Sequence, residues 1–155
     1  GQCGRSGLAR EIAFNHLENL GRVFAATGTL WENYAADAPA PGQPAKGDFV
    51  GWSGLGPILL LLEYAIGLKP DALRNTLHWE LRSTRRCGCA RYRFNGRVVS
   101  LLADPPSVAN ANWRIEIEAD GPFTLAVSRD GETRTCAVAA GRSEVDLATK
   151  DGRKA

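Results

Sequence analysis

The hydrophobic pattern of this chain changes period once, near Thr76, and that change limits the fold to helices followed by strands. From residue 8 to 26 the apolar positions Leu8, Ile12, Leu17, Leu20, Val23 and Phe24 recur at helical spacing, which leaves Arg10, Glu11, Glu18 and Arg22 for other faces. Gly28 supplies a stop, because glycine accepts the left-handed turn that ends a helix. Ser53 and Pro57 mark a second start, after which residues 58–66 are apolar nearly all round until Gly67 and Pro70 end the pattern. The spacing predicts helices over 7–26 and 55–66, with one more short helical turn at 71–75.

From Thr76 onward Leu77, Trp79 and Leu81 alternate with His78, Glu80 and Arg82, the pattern of a half-buried strand. Arg91-Tyr92-Arg93-Phe94, Asn95-Gly96 and Arg97-Val98-Val99 together read as a hairpin with a type I′ turn. Trp113, Ile115 and Ile117 form a further strand, and Phe123, Leu125 and Val127 another, which Asp130-Gly131 turns into 133–138; Val145 and Leu147 close the series. The fold class is therefore α+β: two main helices joined by a long aromatic loop, then an antiparallel β-sandwich of about seven strands. Residues 1–75 form the helical segment, 76–148 the sandwich and 149–155 a flexible tail.

The loop between the helices, residues 30–57, is where function is expected. It is about two dozen residues long, and loops of that length in a compact chain are either functional or disordered. Trp31, Tyr34, Phe49 and Trp52 argue for order, and Glu32, Asp37 and Asp48 add carboxylates among Pro and Gly. Ring faces stack on the C–H surfaces of sugars while carboxylates accept hydroxyl hydrogens, so this composition suits a carbohydrate site. The alternative is that Trp31, Phe49 and Trp52 plug a core beneath a surface loop. Glu32, between Trp31 and Tyr34, is the candidate general base, its aromatic neighbours expected to desolvate it in part.

Other chemistries find less support. There is no Ser-His-Asp set and no Gly-rich phosphate cradle, and no cofactor is expected. Cys87 and Cys89 flank a single glycine, a spacing foreign to common zinc knuckles, while His16 and His78 lie far off; no metal is expected, and Cys3, Cys87, Cys89 and Cys136 read as reduced thiols. A net charge of +2 is too mild for nucleic acid, even with Arg82, Arg85, Arg86, Arg91, Arg93 and Arg97 interleaved with Tyr92 and Phe94. No apolar run approaches the roughly 20 residues of a membrane span, and no signal peptide opens the chain. A soluble, cytoplasmic protein is expected.

The order of motifs in the loop also resembles a known family. Gly28-Thr29-Leu30-Trp31-Glu32-Asn33-Tyr34, then Gly42, then Asp48-Phe49-Val50-Gly51-Trp52-Ser53-Gly54 is similar to the end of the catalytic domain in trehalase-like and family 63-like glycoside hydrolases. The resemblance extends through Trp79, the strand Arg91-Tyr92-Arg93-Phe94 and the later strands, which look like a β-sandwich appended to such a domain, and so spans about Ala9 to Leu147. It implies an (α/α)6 barrel end, Glu32 as the base that activates water in an inverting hydrolysis, and Trp52 as a wall of the sugar site; Trp31, Tyr34, Asp48 and Phe49 are the further substrate-binding candidates that the loop's composition offers. The family's general acid, an Asp, belongs to barrel helices for which this chain has no counterpart. Asp37 and Asp48 share the loop with Glu32 and do not match it by position. The expectation is a fragment resembling the C-terminal part of an inverting α-glycosidase, inactive alone, with weak or vestigial carbohydrate binding; the absence of Met and the opening Gly agree with a piece of a longer protein. The alternative is a self-associating protein- or carbohydrate-binding module. Either way the four consecutive leucines 59–62 cannot all face one neighbour across a single helix surface, so a homo-oligomer through the helical half is expected.

Overall fold

The computed structural model describes residues 5–49, 54–107 and 112–148, in two compact units, Gly1–Ala65 and Ile66–Ala155. The expected tail at 149–155 lies outside the described residues.

In the first unit, α1 spans Ser6–Thr27 and buries Ala13 and Val23. Gly28 ends it in the left-handed conformation at φ 74°, its N–H donating to the Phe24 carbonyl at 2.8 Å. The second helix, α2, spans Leu55–Leu60 and continues as a π-helical stretch over Leu61–Ile66. Such widened turns are uncommon and frequently lie at functional sites. α1 and α2 are in contact. Both predicted helices are present, the second changing its winding part-way.

The second unit is a sandwich of eight strands: β1 Leu68–Asp71, β2 Thr76–Glu80, β3 Cys87–Phe94, β4 Arg97–Asp104, β5 Trp113–Ala119, β6 Phe123–Arg129, β7 Glu132–Val138 and β8 Gly141–Leu147. They form two sheets, ordered β1-β2-β6-β7 and β3-β4-β5-β8. Alternation does what the sequence requires of it: Trp113, Ile115, Ile117 and Ala119 are buried while Arg114, Glu116 and Glu118 face outward. Both hairpin turns take the primed geometry, with φ of 47° and 77° at Asn95-Gly96 and 51° and 81° at Asp130-Gly131. The inner faces meet in one core in which Leu77, Trp79, Val99, Ile115 and Leu125 are fully buried, and Phe94 meets Phe123 edge-on with centroids 6.0 Å apart.

Two details differ from expectation. The sandwich begins at Leu68, not Thr76, which makes eight strands instead of about seven. Leu68↔Trp79 and Asp71↔Thr76 are paired positions, so residues 71–75 are the turn of a β1–β2 hairpin and not a helical turn. Arg74 N–H donates to Asp71 Oδ1 at 3.1 Å, and Asn75 takes φ 50°, a conformation Asn tolerates. Pro70 is tolerated because β1 is an edge strand. The second difference is that β2 and β6 run parallel, Thr76↔Thr124 to Glu80↔Ser128, while every other paired strand is antiparallel. Between them the chain passes through three strands of the opposite sheet, so no hairpin dictates their relative direction.

Side chains fix these crossings. Asn75 Oδ1 accepts from Asn95 Nδ2 at 3.0 Å and from Arg97 Nη1 at 2.9 Å, while Asn75 Nδ2 donates to the Pro122 carbonyl, tying three turns together. Arg129, largely buried, donates to the Leu81 and Ser83 carbonyls at 3.2 and 2.8 Å and lies 4.4 Å from the Trp113 ring.

Candidate functional site

The loop after α1 is ordered by its own backbone. Asp48 N–H donates to the Leu30 carbonyl and Glu32 N–H to Lys46, both at 2.9 Å; Gly42 N–H donates to Asn33 at 3.1 Å and Ala35 N–H to Ala40 at 2.9 Å. Bridges at Trp31↔Gly47 and Tyr34↔Pro41 show that these bonds form a short, irregular antiparallel ladder. A chain this rich in Pro and Gly makes no regular strand, yet its polar groups are paired in the manner of one.

Two aromatic rings lock the base of the ladder. Trp31 Nε1 donates to Thr27 Oγ1 at 3.0 Å, and that hydroxyl donates to the Val23 carbonyl at 2.8 Å, which secures the indole to the last turn of α1. Tyr34 hydroxyl accepts the Trp31 N–H at 3.2 Å. A Cβ at Gly47 would lie 3.3 Å from the Trp31 ring, so the indole rests on the glycine backbone. Trp31 and Tyr34 are both half-buried. They therefore brace the loop first, with only part of each ring left for a ligand.

Glu32 lies between them but is exposed, and among the described residues its carboxylate makes no ion pair or side-chain hydrogen bond. Of its aromatic neighbours, Trp31 turns toward α1 and Gly47 of the opposite arm, while the Tyr34 hydroxyl is taken up by the Trp31 N–H on its own arm. Asp37 and Asp48 are also exposed, Asp48 with φ 57°. Phe49 is exposed with Lys46 Nζ 5.3 Å from its ring centre. Trp52, with the Gly51-Trp52-Ser53 stretch, lies outside the described residues. The loop thus gathers Trp31, Glu32 and Tyr34 on one arm and Asp48 and Phe49 at the end of the other.

Gly42 tests how tightly the arms close. A Cβ there would fall 1.7 Å from Asn33 Oδ1, so Gly42→Ala is expected to expel the Asn33 side chain, whose Nδ2 donates to the Pro44 carbonyl at 3.2 Å. The loss of about 1 kcal/mol should appear as faster amide exchange and proteolysis between residues 31 and 48, with the sandwich's melting unchanged. Unaltered exchange would show that the arms are not coupled through this contact.

The remaining chemistry-bearing groups do not gather. Among the described residues no cluster of three or more His, Cys, Asp or Glu could hold a metal, and no helix is long and apolar enough to cross a membrane. Cys87, Cys89 and Cys136 are free thiols, each pushed upward in pKa by burial, which makes them poor nucleophiles. Cys3 lies outside the described residues. Sequence reading overlooked the outward face of the β3-β4-β5-β8 sheet, where a groove of about 950 Å³ opens. The signal was present in Arg114, Glu116, Glu118, Arg142 and Glu144, all at outward positions of alternating strands.

No family model and no curated protein matches this chain. Among solved structures it is similar to a GH127 β-L-arabinofuranosidase from Geobacillus stearothermophilus T6, at 13% identity and a TM-score of 0.36, over 61% of this chain. The chain spans about a fifth of that enzyme's length, 19%. A likeness of this size assigns neither a family nor an activity.

Proposed function

We propose that this chain carries the general-base loop of a glycoside hydrolase of the trehalase-like or family 63-like kind and does not turn over substrate by itself. The observation that carries the reading is the motif Trp31-Glu32-Asn33-Tyr34, held on a hydrogen-bonded ladder with Glu32 exposed between two braced rings. In that role Glu32 takes a proton from the water that attacks the anomeric carbon. Trp31, Tyr34, Phe49 and Trp52 offer ring surface to the sugar, and Asp48 accepts from a hydroxyl.

Inversion also requires a carboxylic acid on the other side of the sugar, roughly 6.5–9.5 Å from the base, to protonate the leaving oxygen. Each partner contributes about 10²–10⁴-fold, so a base without an acid leaves the rate far below a useful one. Asp37 and Asp48 belong to the loop that supplies the base and match the family's acid in neither position, so neither is assigned that part within one chain. The chain is expected to hydrolyse neither trehalose nor α-glucosides, while trehalose or maltose at millimolar concentration should quench or shift tryptophan fluorescence. Turnover that disappears in Glu32→Gln would show that an acid is supplied after all. The absence of both turnover and any fluorescence response would remove the carbohydrate reading of the loop.

A second reading, a self-associating module without catalysis, is favoured by a different observation. Leu55, Ile58 and Leu59 of α2 occupy i, i+3 and i+4 positions and are 69%, 58% and 53% exposed.

A further inference from the structure

The groove on the outward face of the β3-β4-β5-β8 sheet has a composition that narrows what it can hold. Strand register sets Gly88, Leu102, Glu116 and Glu144 side by side in one row, and Ser100, Glu118 and Arg142 in the next. The β3–β4 side is therefore low and lightly polar. Gly88 keeps it so, because a Cβ there would fall 2.0 Å from the Leu101 carbonyl oxygen. The β5–β8 side stands higher and is charged.

The charge is balanced. Arg114 pairs with Glu144 at 2.7 Å and with Glu116 at 3.5 Å, Arg142 pairs with Glu118 at 3.6 Å, and Arg86 at the far rim pairs with Asp104 at 3.0 Å. A polyanion would need a surplus of positive charge that this surface lacks, and a basic peptide would need the opposite. These side chains are about half exposed or more, Arg142 the most, so their remaining lone pairs and N–H groups are within a ligand's reach. Glu116 and Glu144 are direct cross-strand partners, and Arg114 bridges their like charges.

We propose that this groove binds a short neutral oligosaccharide. Carboxylates of Glu116, Glu118 and Glu144 accept from the ligand's hydroxyls, the guanidiniums of Arg114 and Arg142 donate to its oxygens, and the low Gly88–Leu102 side admits a sugar ring without the bulk of an aromatic wall. The volume lies within the range of small-ligand clefts. The assignment is independent of the loop, since the groove is lined by residues between Arg86 and Glu144.

The test is calorimetric or NMR titration of the whole chain with maltotriose, cellotriose, xylotriose and arabinotriose, with heparin and tetralysine as charged controls. At least one neutral trisaccharide should bind, with affinity reduced about tenfold in Glu144→Gln and in Leu102→Trp, and unchanged in Glu11→Gln, an exposed carboxylate of α1 outside both the loop and the groove. Glu144→Gln removes both a half-exposed ion pair with Arg114 and a like-charge neighbour of Glu116, opposing effects that are each small at this exposure, so its melting temperature should stay close to that of the parent chain; this keeps the test decisive if Leu102→Trp folds poorly. Binding by none of the neutral probes, binding by heparin or tetralysine only, or binding that is lost in Glu32→Gln and kept in Glu144→Gln would each overturn the proposal. The last outcome would leave the loop as the sugar site, and loss of the loop reading alone would leave the groove intact.

Discussion

Trp79→Ala should unfold the sandwich at a temperature on the order of 15–30 °C below that of the parent chain. Trp79 is fully buried, and its strand runs between β1 and β6, with Leu68 and Val127 in register on either side. Removing a buried aromatic ring costs about 3–5 kcal/mol through lost transfer energy and the cavity left behind. A single domain has only about 5–15 kcal/mol in total, so the loss takes a large share of it. The indole also makes a polar contact, since Nε1 donates to the Ile66 carbonyl at 2.9 Å. Trp79→Phe keeps most of the packing and drops that bond, leaving a half-buried carbonyl unpaired, and should cost about 1–3 kcal/mol. Thermal melts followed by far-ultraviolet circular dichroism separate the two contributions. A shift below about 5 °C for Trp79→Ala would mean that the core closes around the gap and that the ring is not central to it.

The chain is also expected to self-associate at micromolar concentration, and Leu55→Glu together with Leu59→Glu should abolish that association. Alongside the α2 face, Leu8 and Ile12 of α1 are 49% and 59% exposed, one helical turn apart. Each large aliphatic side chain moved from water to an interface contributes about 1.5–3 kcal/mol before the cost of ordering two bodies. Several acting together reach the range of stable dimers, and two buried carboxylates per protomer reverse the sign. Sedimentation velocity over a concentration series reads the outcome directly. A monomer at every concentration, with the double variant indistinguishable from the parent, would remove the self-associating reading.

How much of this was legible beforehand depends on how local the cause was. Gly28 at the end of α1, Asn95-Gly96 and Asp130-Gly131 each act through their own backbone dihedrals, so position and conformation could both be read from neighbouring residues. The alternation of Trp113, Ile115 and Ile117 with Arg114, Glu116 and Glu118 likewise fixed which face is buried. β1 was missed because Leu68-Lys69-Pro70-Asp71 is too short to show a period and carries a proline; only pairing with β2 makes it a strand.

The sites divide along the same line. The residues of the loop could be picked out from composition, but the use made of them could not. Trp31 spends its indole N–H on Thr27 and rests on Gly47, contacts that arise only when the two arms of the ladder meet. That closure leaves Glu32 in solvent and turns its aromatic neighbours into braces. The groove was invisible for the corresponding reason. Arg86, Glu116 and Glu144 stand far apart along the chain, and each alone reads as an ordinary solvated position on a strand. The sequence by itself determined a helical part, an aromatic-rich loop and a two-faced sandwich, because burial and turn chemistry act over a few residues. Which strand lies beside which, the parallel β2–β6 pair, and the charges brought together across β5 and β8 were decided only by the tertiary structure, since strand pairing sums many weak contacts between residues that no local pattern relates.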